Sequence, residues 1–204
     1  MERDKANFDI DLNSREADTS SLKVAGAIFG SFVLCTVGLK APFVVTKSVL
    51  PYMATPRTKI HRALQHLSKG KNGVFVDLGS GNGEAVYQAA KLGYRSVGIE
   101  LNFTLWAFSS IRRRLFWSAS ERKRSAFIWS NFFDHELNDA NTVMIFGVNP
   151  LMKPLSKKIA SECAPGTDIL SYRFALPLAN DDEPDLLEAD IIYDEQEMRI
   201  YRRK

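Results

Sequence analysis

From residue 74 onward, short apolar runs alternate with stretches in which apolar residues recur every three or four positions. Such short runs are typical of strands, and the three-to-four spacing is typical of helices. The pattern predicts seven strands, at Val74–Leu78, Ser96–Glu100, Ala126–Trp129, Thr142–Gly147, Asp168–Arg173, Asp190–Asp194 and Glu197–Arg202. It predicts intervening helices at Glu84–Leu92, Asn102–Phe116 and Lys153–Ser161. Strand–helix alternation indicates right-handed βαβ units and a parallel sheet.

The last two predicted strands follow a different rule. Only Glu195 and Gln196 separate them, and so short a connection requires an antiparallel hairpin. The sequence therefore predicts an α/β fold of the Rossmann-like, seven-strand class I methyltransferase type, in which five parallel strands are followed by a C-terminal antiparallel hairpin.

The chain ahead of this pattern divides into a polar tail and an apolar segment. Residues 1–21 are polar and rich in acidic residues, which predicts a disordered tail. Val24–Leu39 is an uncharged run of 16 residues between Lys23 and Lys40. A helix of this length spans roughly 24 Å, and snorkelling lysines extend its reach toward the ~30 Å of a hydrocarbon core. Residues 22–50 are predicted to form an apolar helix, either a membrane anchor or a buried helix packed on the domain.

The catalytic domain is expected to cover residues 51–204. Its first element is a helix at Lys59–Leu67, which places Ile60, Ala63, Leu64 and Leu67 on one face. A turn cluster follows at residues 68–73, immediately before the first strand.

Composition narrows the classes of function. The formal net charge is +3, which by itself indicates no nucleic-acid partner. The two cysteines, Cys35 and Cys163, are too few and too far apart for a metal cage or a disulfide framework. The three histidines show no ligand spacing with cysteine, and HExxH does not occur. We expect no metal site.

The strongest chemical signal is the turn Asp77-Leu78-Gly79-Ser80-Gly81-Asn82-Gly83, between the first strand and its helix. Glycines there allow a ligand to approach the backbone closely. A dinucleotide fingerprint would need a third glycine at position 84, which is Glu84. The acid at Asp77 would repel a pyrophosphate and suits the α-ammonium of S-adenosylmethionine. We therefore expect this cofactor, bound by Asp77, Gly79, Ser80, Gly81 and Gly83; an incidental turn is the alternative.

Two later strands contribute to the same predicted site. Glu100 closes the second strand, where a carboxylate can accept hydrogen bonds from both ribose hydroxyls. Asn131 and Phe132 follow the third strand, where the amide can pair with the adenine edge and the ring can pack on its face. The alternatives are a helix-terminal acid for Glu100 and a loop cap with a core aromatic for Asn131 and Phe132.

The methyl acceptor is expected beyond the fourth strand, because ligands of open α/β sheets bind at the carboxyl ends of the strands. Asn149 lies in that loop and has carbonyl groups that can bind an incoming amine, although a turn residue ahead of Pro150 is an equal interpretation. Residues 172–174 end the fifth strand and are candidates to line the same channel.

Two basic runs, Arg112–Arg114 and Arg122–Arg124, flank the end of the predicted helix Asn102–Phe116. They are candidates to bind anionic lipid or RNA. A solvated helix end that is stabilised by the helix dipole explains them equally well.

On these motifs the chain resembles the mitochondrial lysine methyltransferases of the ATP synthase c subunit and the adenine nucleotide translocase. The resemblance covers roughly residues 42–180, through the segments PYMATPRTKIHRAL, VFVDLGSGNGEAVYQAAKLGYRSVGIELN, IFGVNPLM and ILSYRFALP. It implies the cofactor role for Asp77, Gly79, Gly81 and Glu100. The chain departs from the pattern at Asn131, where such enzymes commonly have Asp, and at Ala54, where Pro is expected.

The resemblance implies trimethylation of a protein lysine and a setting at the mitochondrial inner membrane, with a single uncleaved N-terminal anchor. The protein substrates that it implies are the ATP synthase c subunit or the adenine nucleotide translocase. The core is also similar to the non-SET histone lysine methyltransferase, which lacks an apolar anchor. Two further hypotheses are an RNA or small-molecule methyltransferase and a non-catalytic module with a vestigial site.

Overall fold

The computed structural model describes residues 55–67, 73–147, 149–195 and 197–204. The predicted tail at residues 1–21 and the apolar run Val24–Leu39 lie outside these residues. No helix within the described ranges is both long enough and apolar enough to cross a membrane.

The strands form one seven-stranded sheet in the order β3-β2-β1-β4-β5-β7-β6. Their bounds are β1 Val74–Leu78, β2 Arg95–Glu100, β3 Ser125–Trp129, β4 Thr142–Ile145, β5 Asp168–Tyr172, β6 Ala189–Glu195 and β7 Met198–Arg203. The pairs among β1 to β5 are all parallel. The α/β, Rossmann-like prediction is thereby confirmed.

The C-terminal hairpin is also confirmed, and its placement adds a feature that the sequence pattern did not predict. Strand β7 pairs antiparallel with both β5 and β6, so it is inserted between them and alone runs against the other six strands. Asp168 of β5 lies directly opposite Arg202 of β7, and the guanidinium donates to both carboxylate oxygens at 2.8 and 3.2 Å. This contact fixes the register of the inserted strand.

The helices cover the sheet, with bounds α1 Arg57–Gln65, α2 Glu84–Lys91, α3 Phe103–Phe116, α4 Ala119–Lys123 and α5 Asn149–Glu162. The face predicted for α1 is confirmed, because Ile60, Ala63, Leu64 and Leu67 are all buried. They pack in one core cluster with Phe75 of β1 and Tyr172 of β5, which attaches α1 to the sheet close to its carboxyl edge.

Two elements differ from the prediction. Helix α4 was not predicted; it is a short helix with a capping box, in which the Ser118 side chain accepts from the Glu121 amide and the Glu121 side chain accepts from the Ser118 amide. Helix α5 begins at Asn149 rather than at Lys153 and continues through Pro154, whose exposed ring lacks an amide donor. The buried apolar positions of α5, Met152, Leu155 and Ile159, start within its first turn, but Pro150 and Pro154 interrupt the helical pattern in the sequence.

We expect Asp168→Asn to lower the free energy of unfolding by about 2 kcal/mol, because a buried acceptor loses its charge-assisted bonds to Arg202. Asp190→Asn is the matched control: its partner Lys204 and its own side chain are both half-exposed or more, so the loss should stay below about 1 kcal/mol. Urea denaturation measures both. Equal losses would contradict the structural role given to Asp168.

Candidate functional site

The predicted glycine turn lies at the carboxyl edge of the sheet, where β1 is flanked by β2 and β4. The chain runs from β1 outward to β2 and β3 and then returns to β4 on the other side of β1. This is a topological switch point, the position at which open α/β sheets bind ligands.

The turn needs its glycines because the backbone is left-handed at three of them, with φ of 84° at Gly79, 53° at Gly81 and 76° at Gly83. Gly83 is constrained further, since a Cβ there would lie 2.4 Å from the Phe127 ring. A Cβ at Gly79 would meet no atom of the described residues within 4 Å. Backbone at Gly79 therefore faces open space that a ligand can occupy.

The Glu100 side chain connects the glycine turn to the loop between β2 and α3. One carboxylate oxygen accepts from the Gly81 amide at 2.8 Å, and the other accepts from the Asn102 amide at 2.7 Å, at the start of α3. The side chain is only 8% exposed. Each oxygen keeps a second lone pair, so the group can accept further hydrogen bonds while it holds both loops.

Asp77 is the second buried acid of the site and is 5% exposed. Burial, with a smaller contribution from the negative charge of Glu100, raises the pKa of Asp77 to about 7. A cation beside the carboxylate would offset this penalty, whereas an anion would increase it. The acid pair therefore fits the sulfonium and ammonium groups of S-adenosylmethionine and does not fit a pyrophosphate.

The remaining predicted cofactor residues are placed as follows. The Ser80 amide donates to Ile99 O at 3.1 Å, and its hydroxyl is buried without a hydrogen-bond partner in the described part of the chain. Asn131 caps a 3-10 turn at Phe132–Asp134 by accepting from the Phe133 amide at 3.1 Å. The side-chain carbonyl of Asn131 is therefore used as a loop cap, as the alternative interpretation expected. Its side-chain NH2 group is still available to donate to the edge of an adenine base.

Sequence reasoning missed the support beneath this turn. Lys158 of α5 is buried and bonds both Glu162 oxygens at 2.7 and 2.8 Å. It also donates to Phe133 O at 3.3 Å, while Glu162 accepts from the Leu137 amide. The signal was a Lys–Glu pair four residues apart, with Glu162 one residue beyond the predicted helix Lys153–Ser161, and such pairs are usually exposed.

The glycine turn is also braced by two arginines that converge on Glu84, the first residue of α2. Arg112 of α3 bonds Glu84 at 2.7 Å and Asn82 O at 3.0 Å. Arg57 of α1 reaches the other Glu84 oxygen at 3.0 Å. Position 84, which excluded a dinucleotide fingerprint, therefore joins α1, α2 and α3 at the site.

The other predicted basic residues are mostly bonded within the fold. Arg113 donates to Ser125 Oγ at 3.0 Å and to Arg122 O at 2.5 Å, Arg122 donates to Trp117 O, and Arg124 donates to Gly93 O. Only Arg114 and Lys123 of the two runs are exposed. Four of the five arginines in the two runs thus brace α3 and α4 from within the fold.

The acceptor side lies at the carboxyl ends of β4 and β5. Asn149 is the exposed first residue of α5. Phe146, just after β4, packs edge-on against Tyr172 of β5 with ring centroids 5.1 Å apart. Arg173 has a left-handed φ of 72° and turns the chain away after Tyr172.

Sheet order and an acid-lined glycine turn at the switch point together define a class, the Rossmann-like methyltransferases that use S-adenosylmethionine. Comparison with known proteins narrows this class to one family.

The chain belongs to the ANTKMT methyltransferase domain family, which it matches over residues 77–183. It is similar to the lysine N-methyltransferase of the ATP synthase c subunit from Caenorhabditis elegans, with 34% identity over 78% of this chain and 85% of that protein. The Xenopus laevis enzyme of the same name is 31% identical over 76% of this chain and 68% of its own length.

A solved RNA methyltransferase from Salinibacter ruber, in complex with S-adenosyl-L-homocysteine, shares the fold. Its TM-score is 0.60 and its identity 24%, over 74% of this chain and 92% of that chain.

The raised pKa of Asp77 gives a prediction for stability. An acid whose pKa is higher in the folded chain favours folding while protonated, so its contribution is lost as the pH rises from about 4 to about 7. We expect the stability of Asp77→Asn relative to wild type to be greatest at pH 8 and to shrink by roughly 2 kcal/mol at pH 5. Urea denaturation at both pH values measures this difference, and an unchanged difference would contradict the burial argument.

Proposed function

We propose that this protein is an S-adenosylmethionine-dependent protein-lysine N-methyltransferase that trimethylates a mitochondrial membrane protein, with the ATP synthase c subunit as first candidate and the adenine nucleotide translocase as second. The observation that carries the proposal is family membership combined with a switch-point site that suits a cation. Neither the histone-type nor the RNA alternative has a separate observation in its favour.

In this proposal the glycine turn and its acids bind the cofactor. Asp77 faces the ammonium group, the backbone at Gly79 and Gly81 allows close approach, and Gly83 starts the helix that follows. Glu100 accepts from the ribose hydroxyls through its second lone pairs while it keeps the Gly81 amide in place. Ser80 contributes shape through its packing against Gly98.

The adenine is assigned to the turn after β3. There the Asn131 amide can donate to a ring nitrogen while its carbonyl stays bonded to Phe133, and Phe132 offers an aromatic face. The ion pair of buried Lys158 with half-buried Glu162 holds this turn, through Phe133 O and the Leu137 amide.

When bound, S-adenosylmethionine supplies a methyl group on a positively charged sulfur. The protein must place the substrate amine in line with that methyl group and keep the amine neutral, against its usual pKa of about 10.4. We assign Asn149 to accept from the amine. Its position at the N-terminus of α5 favours the neutral form, because the positive end of a helix dipole disfavours an ammonium ion.

We place the enzyme at the mitochondrial inner membrane, with residues 51–204 as the catalytic domain and the segment 22–50 as the anchor. The support is the uncharged run Val24–Leu39 between two lysines, together with the membrane location of the candidate substrates.

The test is transfer of a labelled methyl group to mitochondrial membranes that lack the enzyme. We expect wild type to produce trimethyl-lysine in the c subunit or the translocase, read by mass spectrometry, and to remain in the membrane after alkaline carbonate washing. Glu100→Ala should transfer at least tenfold less, because the Gly81 and Asn102 amides lose their common acceptor.

Glu136→Ala is the matched control, since Glu136 is exposed and bonds only the neighbouring Asn138 side chain in the described contacts. Its activity should equal that of wild type. Wild-type enzyme that methylates RNA or small molecules in these membranes, and no lysine, would overturn the proposal.

A further inference from the structure

At the carboxyl edge of the sheet, the Tyr172 ring and the Glu197 carboxylate both lie close to a lysine ammonium, and Phe146 packs against that ring. We call the group formed by Phe146, Tyr172 and Glu197 the aromatic–acidic corner. Phe146 is the first residue after β4, Tyr172 is the last residue of β5, and Glu197 lies in the turn between β6 and β7. Lys59 of α1 places its Nζ 5.3 Å from the centroid of the Tyr172 ring and 3.8 Å from Glu197 Oε2.

This geometry is the one that binds ammonium groups. A cation within about 6 Å of an aromatic centroid is attracted by the negative face of the ring, and aromatic cages recognise methylated ammonium in the same way. Glu197 adds a formal opposite charge. Tyr172 is buried, so the ring itself is held by the core while its face receives the cation.

Two residues beside the Tyr172 ring, Arg173 and Glu197, have backbone in the left-handed region. Glu197 has φ of 74° in a tight hairpin turn, where Gly or Asn would fit without cost. Arg173, with φ of 72°, donates its amide to Glu197 O at 2.6 Å and approaches Glu197 Oε1 with its guanidinium at 3.6 Å. These two contacts hold the Glu197 turn against the end of β5.

The contact with Lys59 is suited to exchange. The Lys59 and Glu197 side chains are 25% and 49% exposed, and their separation is close to the limit for an ion pair. Ion pairs in such partly solvated positions contribute little to stability. A second ammonium of the same chemistry can therefore compete with that of Lys59 for the Glu197 carboxylate.

We propose that the aromatic–acidic corner captures the ammonium group of the substrate lysine before transfer, and that Lys59 occupies this subsite until the substrate displaces it. The proposal rests on the lysine methyltransferase function proposed above. It assigns Tyr172 and Glu197 to substrate capture and Lys59 to competition with the substrate, whereas Asn149 acts later on the neutral amine, after the ammonium has lost its proton to solvent.

Steady-state kinetics of the full-length enzyme on detergent-solubilised ATP synthase c subunit test the competition. We expect Lys59→Gln to lower KM about three- to fivefold with kcat unchanged. Adding Glu197→Gln to that variant should raise KM again by about fivefold, because the captured ammonium loses its counter-charge.

Arg62→Gln is the matched control: it removes one positive charge and one surface ion pair, with Glu195, from the same helix but away from the Tyr172 ring. Its KM should equal that of wild type. An unchanged KM in Lys59→Gln, or an equal decrease in Arg62→Gln, would overturn the proposal.

A binding measurement separates this proposal from the proposed function. Saturation-transfer NMR with millimolar tetramethylammonium chloride reports cation binding without any methyl transfer. We expect a stronger signal with Lys59→Gln than with wild type, retention of that signal when Tyr172→Phe is added, and its loss when Tyr172→Leu or Glu197→Gln is added.

The isosteric Glu197→Gln change keeps the test decisive if Tyr172→Leu weakens the core. Equal signals from Lys59→Gln with and without Glu197→Gln would refute the capture site. Cation binding as predicted, in an enzyme that methylates no lysine, would instead refute the proposed function and leave a cation subsite for a different acceptor.

Discussion

The site depends first on one carboxylate that serves two loops. Glu100 ends β2 and holds the Gly81 amide with one oxygen and the Asn102 amide with the other. These bonds fix the glycine turn after β1 relative to the start of α3. Because the two loops leave neighbouring parallel strands at the same edge, their relative position defines the shape of the cofactor site.

The buried acids of the site differ in how far neighbouring cations compensate their charge, and this difference determines the charge of the glycine turn. Glu84 is buried but is paired with Arg57 and Arg112, so its charge is compensated within the fold. Asp77 is buried beside Glu100, and its pKa rises to about 7. Asp77 is therefore only partly ionised near neutral pH, and a cation beside it would favour its charged form, whereas the charge of Glu84 is already compensated.

Sequence reasoning recovered what local patterns specify. Strand–helix alternation gave the five parallel strands, and the absence of a glycine at position 84 distinguished the turn from a dinucleotide site. Insertion of β7 between β5 and β6 was not predicted, because strand order depends on long-range pairing such as Asp168 with Arg202. Helix α4 was missed because its apolar periodicity is weak and its capping box carries the signal.

Side-chain partners were the least predictable part of the site. The runs around Arg112 and Arg122 have the composition of a binding patch, yet most of their guanidinium groups bond carbonyls and acids inside the fold. Conversely, Lys59 carried no motif and lies beside Tyr172 and Glu197, residues more than a hundred positions away in the chain. Contacts of this kind follow from topology rather than from sequence spacing.

In the proposed binding mode, a buried acid at the glycine turn receives the cationic end of S-adenosylmethionine. Calorimetric titration with this cofactor at pH 6.5, in two buffers of different ionisation enthalpy, counts the protons released on binding. Since a nearby cation lowers the pKa of Asp77 from about 7, wild type should release most of one proton, and Asp77→Asn should bind more weakly and release none. Equal proton release by both proteins, or a folded wild type that does not bind the cofactor, would contradict this binding mode.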